Sequence, residues 1–281
     1  MSTGYLPRMA SIPWTRRLGK AALRLALLGV AALGGPGRAD DMAAAQRAVH
    51  VAVEPGWRAA VGRHVAGLRI TLAPGWRTYW RVPGSTGIAP RFDWAAGGSV
   101  TAVEPVWPVP SVFRGPEGLA FGFEDGLILP LVVSMGPGDA VLEGTLSMGV
   151  CAAVCLPVQV PLSIALPEGG APVAALAAGL EGGPRRVDAH ADCSIRPSAS
   201  GSILEGRMAL PPLGGAEAVA FEIGDPRLWI ADARVERRGG TLVARAAVLS
   251  GDGGPAAPDL GSVRITAIGA DDAVELAGCA R

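Results

Sequence analysis

Cys151 and Cys155 stand four positions apart in the run Cys151-Ala152-Ala153-Val154-Cys155-Leu156-Pro157. Thiols this close can close a disulfide and open it again, or hold a soft metal ion as thiolates. A fully extended chain would hold their Cα atoms about 13 Å apart, and a disulfide needs them within about 7 Å. The chain must therefore turn between them, and Ala152, Ala153 and Val154 are small enough to allow it. No charged residue lies between Ser147 and Leu166, so the sequence neighbours offer no cation to lower a thiol pKa. A passive pair attacked by a partner's thiolate fits these residues as well as an activated nucleophile does.

Cys193 and Cys279 complete a set of four, which allows three pairings. Local pairing, Cys151 with Cys155 and Cys193 with Cys279, keeps each bond within one half of the chain. The second bond closes a loop of about 87 residues and stabilises by roughly 4–5 kcal/mol on the chain-entropy account. The first closes a five-residue loop, worth about 2 kcal/mol on the same account. Cys193–Cys279 is thus read as a structural disulfide. Cys151–Cys155 can be lost without unfolding the chain, which suits electron shuttling.

Two other readings of the Cys151/Cys155 pair stand beside this one. It could be a structural bond in a non-catalytic interaction domain. It could also bind copper, since C-x3-C-x-P resembles the copper-binding motif of the Sco-type assembly proteins. Those proteins carry the motif in a thioredoxin-like fold with a distant histidine ligand. Here the surroundings read as all-β, and His50, His64 and His190 lack ligand-like spacing. No cofactor is therefore expected, with copper as the alternative. Asp93 and Glu124 could serve as acids in a hydrolase, but no Ser-His-Asp order, metal cluster or phosphate loop accompanies them.

The elements that must hold the cysteines read as short strands. The 281 residues include 40 Gly and 24 Pro, with 49% hydrophobic and 18% charged residues. That favours strands joined by many turns. Strands are expected at Val65–Leu72, Trp76–Trp80, Ala89–Trp94, Leu127–Ser134, Ala140–Met148 and Val158–Leu166, with the cysteine pair connecting the last two. Pro167 to about Asp188 breaks the pattern, and Pro172–Leu180 suits a short helix. Further strands are expected at Ile203–Leu210, Ala216–Ile223, Leu228–Glu236, Thr241–Leu249, Val263–Ile268 and Ala273–Ala277, with a tight hairpin at Gly239-Gly240. The fold class is all-β, a β-sandwich followed by a second, smaller β-sandwich-like domain. The divisions are a first domain over 40–166, a linker over 167–190 and a C-terminal domain over 191–281.

The N-terminus reads as an export signal over 1–39. Arg8, Arg16, Arg17, Lys20 and Arg24 precede a short apolar run, Leu25–Gly35, and Gly37-Arg38-Ala39 offers small residues for cleavage before Asp40. The run falls short of the roughly 20 residues that span a bilayer. Leu127–Ser134 is shorter still and carries Pro130. The expected location is the periplasm, with the signal removed. A net charge of +0 gives no basic face, so nucleic acid is not an expected partner.

Pro74-Gly75-Trp76-Arg77-Thr78-Tyr79-Trp80-Arg81-Val82-Pro83-Gly84, Gly87-Ile88-Ala89-Pro90 and Phe92-Asp93-Trp94 resemble the N-terminal periplasmic (alpha) domain of the thiol:disulfide interchange protein DsbD family. Trp107-Pro108-Val109-Pro110, Phe121-Gly122-Phe123 and Cys151–Pro157 continue the likeness over roughly residues 50–165. It extends to the lone periplasmic domains of ScsB-type copper-tolerance proteins. The resemblance implies an immunoglobulin-like sandwich whose cysteine pair relays electrons as a protein-disulfide reductase component. The implied partners are a membrane-embedded thiol donor and a periplasmic acceptor of the thioredoxin-like or disulfide isomerase-like kind. By position, Cys155 would form the mixed disulfide and Cys151 would resolve it. The family's cap loop over the pair is matched to Phe121 or Phe123, with Glu124 beside them. The pattern departs from well-known members, which space the cysteines C-x5-C. They also carry a membrane domain and a thioredoxin-like domain, so the donor here is expected to be a separate protein.

Overall fold

The computed structural model describes residues 38–95, 98–251 and 256–280. The proposed export signal therefore lies outside the described residues, apart from Arg38 and Ala39, which begin a helix. The N-terminal half comprises α1 (Arg38–Ala48), β1 (Val49–Ala60), β2 (Arg63–Leu72), β3 (Arg77–Tyr79), β4 (Arg91–Trp94) and β5 (Val100–Pro105). It continues with β6 (Ser111–Gly115), β7 (Gly118–Glu124), β8 (Gly126–Met135), β9 (Ala140–Cys151) and β10 (Cys155–Leu166). One sheet runs β1-β2-β8-β5, and the other runs β10-β9-β3-β7-β6 with β4 also on β9.

Alternation dictates how these sheets face. In β10, Val158, Leu162, Ile164 and Leu166 are buried while Gln159, Ser163 and Ala165 are exposed. In β8, Leu129, Leu131 and Val133 are fully buried. They meet Trp80, Phe121, Leu146, Met148 and Val150 from the second sheet in one core. Period-two burial on two facing antiparallel sheets is the immunoglobulin-like sandwich.

The C-terminal half begins with α2 (Ala174–Glu181), whose Leu176 packs with Trp57 and Val65 on the outer side of the first sheet. Its strands are β11 (Arg185–Val187), β12 (Ala191–Ser198), β13 (Gly201–Ala209), β14 (Ala218–Glu222) and β15 (Leu228–Ile230). They are followed by β16 (Arg234–Arg238), β17 (Thr241–Ser250), β18 (Arg264–Ile268), β19 (Ala273–Ala277) and β20 (Cys279–Ala280). Two sheets form, β11-β19-β18-β14 and β15-β17-β13-β12-β20 with β16 on β17. They enclose a second core that includes Leu204, Met208, Phe221, Leu242, Val248, Ile265 and Leu276. The molecule is all-β with two sandwich cores.

Several details differ from the sequence reading. β11 falls within the stretch read as a linker, yet it pairs in parallel with β19 and so belongs to the C-terminal sheets. Leu228–Glu236 is two strands, β15 and β16, both on β17. The expected Gly239-Gly240 hairpin is present, with Arg238 opposite Thr241. The two halves meet across the β14–β18–β19 sheet. Ala218, Ala220, Ile268 and Ala273 on its far side join the core of the N-terminal half. No helix among the described residues is long and apolar enough to cross a membrane.

Candidate functional site

β9 ends at Cys151 and β10 starts at Cys155, and the two residues are register partners that close the hairpin. Their Cα atoms are 4.1 Å apart and their sulfurs are bonded. Ala152, Ala153 and Val154 form the exposed turn. The two sulfurs are not equivalent. Cys151 is buried, at 2% exposure, whereas Cys155 is exposed.

β3 lies directly against the bonded pair. Arg77 is the register partner of Cys151, and Thr78 is that of Val150. The buried Thr78 hydroxyl donates to Gly149 O at 2.9 Å and fixes β3 to β9. Alternation sends Arg77 and Tyr79 to the face opposite Thr78. There the Tyr79 Oη lies 2.6 Å from Cys151 Sγ and 3.1 Å from Cys155 Sγ. Disulfide sulfurs carry no hydrogen, so the phenol is the donor to both. Burial pushes the Tyr79 phenol above its ordinary value, with the Arg77 charge pulling the other way. The hydroxyl therefore keeps its proton at neutral pH and remains a donor.

The far side of β3 pairs with β7, where Tyr79 opposes Gly122 and Arg77 opposes Glu124. A Cβ on Gly122 would stand 2.0 Å from Thr78 O, so only glycine lets β7 approach so closely. Beyond β7 lies β6, with Phe113 opposite Ala120. Phe113 packs against the buried group of Tyr79, Ala120 and Cys151, and the Arg77 guanidinium lies 4.7 Å from the centre of its ring. The aromatic side chains on the disulfide's face are thus Tyr79 and Phe113.

This corrects the sequence assignment of the cap. Phe121 and Phe123 are buried in the sandwich core, on the opposite face of β7 from Gly122, and Phe121 lies 6.4 Å from Trp80, centre to centre. One residue of offset on a strand reverses the face, and Phe121 and Phe123 fall on the inner phase. Glu124 is exposed at the end of β7, across β3 from Cys151. Cys193 and Cys279 are bonded to each other, with Cα atoms 5.5 Å apart, and join β12 to β20.

The structure also supplies what the local sequence lacked. Arg77 is more than 70 residues from Cys151 in the chain, yet it sits on the adjacent strand. The site therefore has a cation nearby and a phenol donor in contact with both sulfurs, a setting that favours thiolate once the bond opens. For a metal, the pair would offer two sulfur donors, a set that suits soft ions. No group of three or more His, Cys, Asp or Glu that could hold an ion occurs among the described residues.

Comparisons with known proteins agree with this geometry. Residues 42–167 match the family described as thiol:disulfide interchange protein DsbD, N-terminal. No curated protein matches the chain. Among solved structures, the chain is similar to the N-terminal periplasmic domain of ScsB from Proteus mirabilis. The two share 21% identity and a TM-score of 0.60, with 81% of this chain and 90% of that chain covered. At that identity the likeness concerns the fold. It spans more of the chain than the family match does, and so takes in strands of the C-terminal half.

Proposed function

We propose, on the premise that residues 42–167 are a domain of the DsbD N-terminal type, that this chain is a periplasmic thiol-disulfide relay working through Cys151 and Cys155. The observation that carries the reading is the asymmetry of the pair. An exposed Cys155 is bonded to an enclosed Cys151, and both accept from the Tyr79 hydroxyl. The exposed sulfur is the one a partner reaches, and the enclosed sulfur is placed to resolve.

In the reduced protein the Cys155 thiolate attacks one sulfur of an acceptor disulfide. A new S–S bond forms to Cys155, and the acceptor's other sulfur leaves as a thiolate. The Cys151 thiolate then attacks Cys155 Sγ, which re-forms Cys151–Cys155 and releases the acceptor's second sulfur. Two electrons pass to the acceptor, and the two protons lost by the cysteines balance the two its thiols take up. A dithiol on a membrane-embedded donor recharges the pair by the same exchange in reverse. The acceptor is a periplasmic protein of the thioredoxin-like or disulfide isomerase-like kind. Tyr79 stabilises whichever sulfur carries the charge, because a hydrogen bond to a charged acceptor is stronger than one to a neutral one.

Trapping tests this. Cys151→Ala leaves the Cys155 thiol without its resolving partner, so mixed disulfides should accumulate on non-reducing gels from the native host. Cys155→Ala should accumulate few. Equal trapping by both variants would remove the assigned asymmetry. Complexes with neither, together with tight Cu(I) binding by the reduced wild type, would replace the relay with a copper-binding role.

A further inference from the structure

The C-terminal half touches the N-terminal half at the segments that enclose Cys151. β6 and β7 form a hairpin whose turn lies between Gly115 and Gly118, and Phe113 sits near its tip. Arg114, next to Phe113, donates from Nη2 to Ala216 O at 2.9 Å and to Glu217 O at 3.1 Å. On the other arm, the Leu119 N–H donates to Asp232 Oδ2 at 2.7 Å. The same carboxylate accepts from the Ser85 N–H at 2.8 Å and from the Ser85 hydroxyl. Ser85 lies in the segment that follows β3, the strand of Tyr79 and Arg77.

Asp232 therefore ties together two segments of the other half, the β6–β7 hairpin that carries Phe113 and the stretch after β3, where a Cβ on Gly87 would lie 2.7 Å from the Tyr79 ring. The fit is close. Gly118 has a φ of +137°, and a Cβ there would meet Ser85 Oγ at 2.2 Å and Asp232 Oδ2 at 2.7 Å. Ala216, Glu217 and Asp232 belong to connections of the C-terminal half, whose core is separate from that of the sandwich.

From these contacts we infer that the C-terminal half is a latch. It holds the β6–β7 hairpin, and with it Phe113, closed over the sulfur of Cys151. Asp232 and Arg114 are positioning residues that act through Phe113. What the latch is for rests on the relay reading: it keeps the resolving sulfur from thiols and disulfides other than the docked partner's, while Cys155 stays reachable. Its existence does not depend on that reading.

Alkylation of individual cysteines tests the latch. The full chain is mildly reduced to open Cys151–Cys155, then treated with iodoacetamide. Each thiolate displaces iodide and forms an S–C bond, and mass mapping follows each cysteine separately. Asp232→Ala and Arg114→Met should each speed labelling of Cys151 by at least roughly fivefold, the factor that loss of a single net hydrogen bond supplies. Cys155 should label at its wild-type rate. In a Phe113→Ala background, Asp232→Ala should add nothing, because the lid it positions is gone. Unchanged Cys151 labelling in both single variants would overturn the latch. So would equal acceleration at Cys151 and Cys155, or new labelling of Cys193 and Cys279, either of which would signal general loosening, or an undiminished Asp232→Ala effect in the Phe113→Ala background. Absence of trapped partner complexes would remove the relay and leave these labelling rates to decide the latch alone.

Discussion

Tyr79 joins the sandwich to the chemistry at the scale of single residues. In sequence it belongs to an aromatic run, Trp76, Tyr79 and Trp80, of the kind that fills cores. Trp80 does so, at 0% exposure. Tyr79 is equally enclosed but faces the other way, onto the sulfurs. Its hydroxyl costs little to bury because it has acceptors there, and it matters most when one of them becomes a thiolate. Replacing Tyr79 with Phe keeps the ring and removes the donor. The unfolding midpoint of the oxidised protein should barely move. In the reduced protein the reactive thiol's pKa should rise by about 1–2 units, the worth of a hydrogen bond to a charged group. The sign follows from the donor stabilising the charged form, so its loss favours the neutral thiol. Titration of the thiolate by its ultraviolet absorbance reads this directly. A pKa that stays put or falls would mean that Tyr79 only packs.

At the scale of elements, the expected strands coincide with β2, β3, β4, β8, β9, β10, β13, β14, β17, β18 and β19. β10 alternates cleanly between buried and exposed positions, whereas β2 is buried at five successive positions, His64–Leu68, and is recognised by its apolar content and length. No strand is expected from the sequence over Val49–Ala60, where Glu54-Pro55-Gly56 interrupts the pattern. That tripeptide is a bulge within a continuous strand, where the register slips between Glu54 and Trp57. β6 and β7 escaped as a hairpin although Gly115-Pro116-Glu117-Gly118 carries turn chemistry. Finding that turn would have set the phase of Phe113 against Phe121 and Phe123. The β3–β9 pairing, which brings Arg77 and Tyr79 to Cys151, is a long-range contact that no local pattern encodes. β10, the edge strand beside Cys155, carries Pro157 and Pro161 while pairing with β9 without a break in register. Their nitrogens must then face outward, so the free edge lacks two donors and resists addition of another strand.

The C-terminal sheet has its own acid sensitivity at this scale. Glu205 on β13 is 3% exposed and is bonded to Arg207 at 2.9 Å, Arg196 at 3.1 Å and Arg245. The Arg207 hydrogen bond, with help from Arg245 and against the effect of burial, holds its carboxyl below the ordinary 4.5. A depressed folded-state pKa gives stability that is fully present above the unfolded value and lost as pH falls through the folded one. Stability should therefore decline below about pH 4.5, and Glu205→Gln should flatten that acid limb. Denaturant midpoints measured through the acid range check this. An acid limb unchanged in Glu205→Gln would assign the sensitivity to other carboxylates.

Over the whole molecule, two cores are joined by a polar seam near the site. Arg81, two residues after Tyr79, reaches across to Glu222 and Glu275 of the C-terminal half, while its guanidinium lies 4.0 Å over the Trp80 ring. The chain thus places one disulfide at an exposed turn of the first sandwich and the other inside the second. Cys155 is open to solvent, whereas Cys279 is 5% exposed within the second core and Cys193 packs against it. Their loops differ just as much, with sequence separations of 4 and 86. Graded reduction should therefore open Cys151–Cys155 first and leave the fold intact. Cys193–Cys279 should yield only at higher reductant, with a loss of roughly 4–5 kcal/mol on the chain-entropy account. Mass mapping of alkylated peptides at each reductant step, paired with denaturant unfolding, separates the two events. If Cys193 and Cys279 label first, the exchangeable bond lies in the C-terminal half. If opening Cys151–Cys155 alone collapses the unfolding midpoint, that bond holds the sandwich together and is unsuited to carrying electrons.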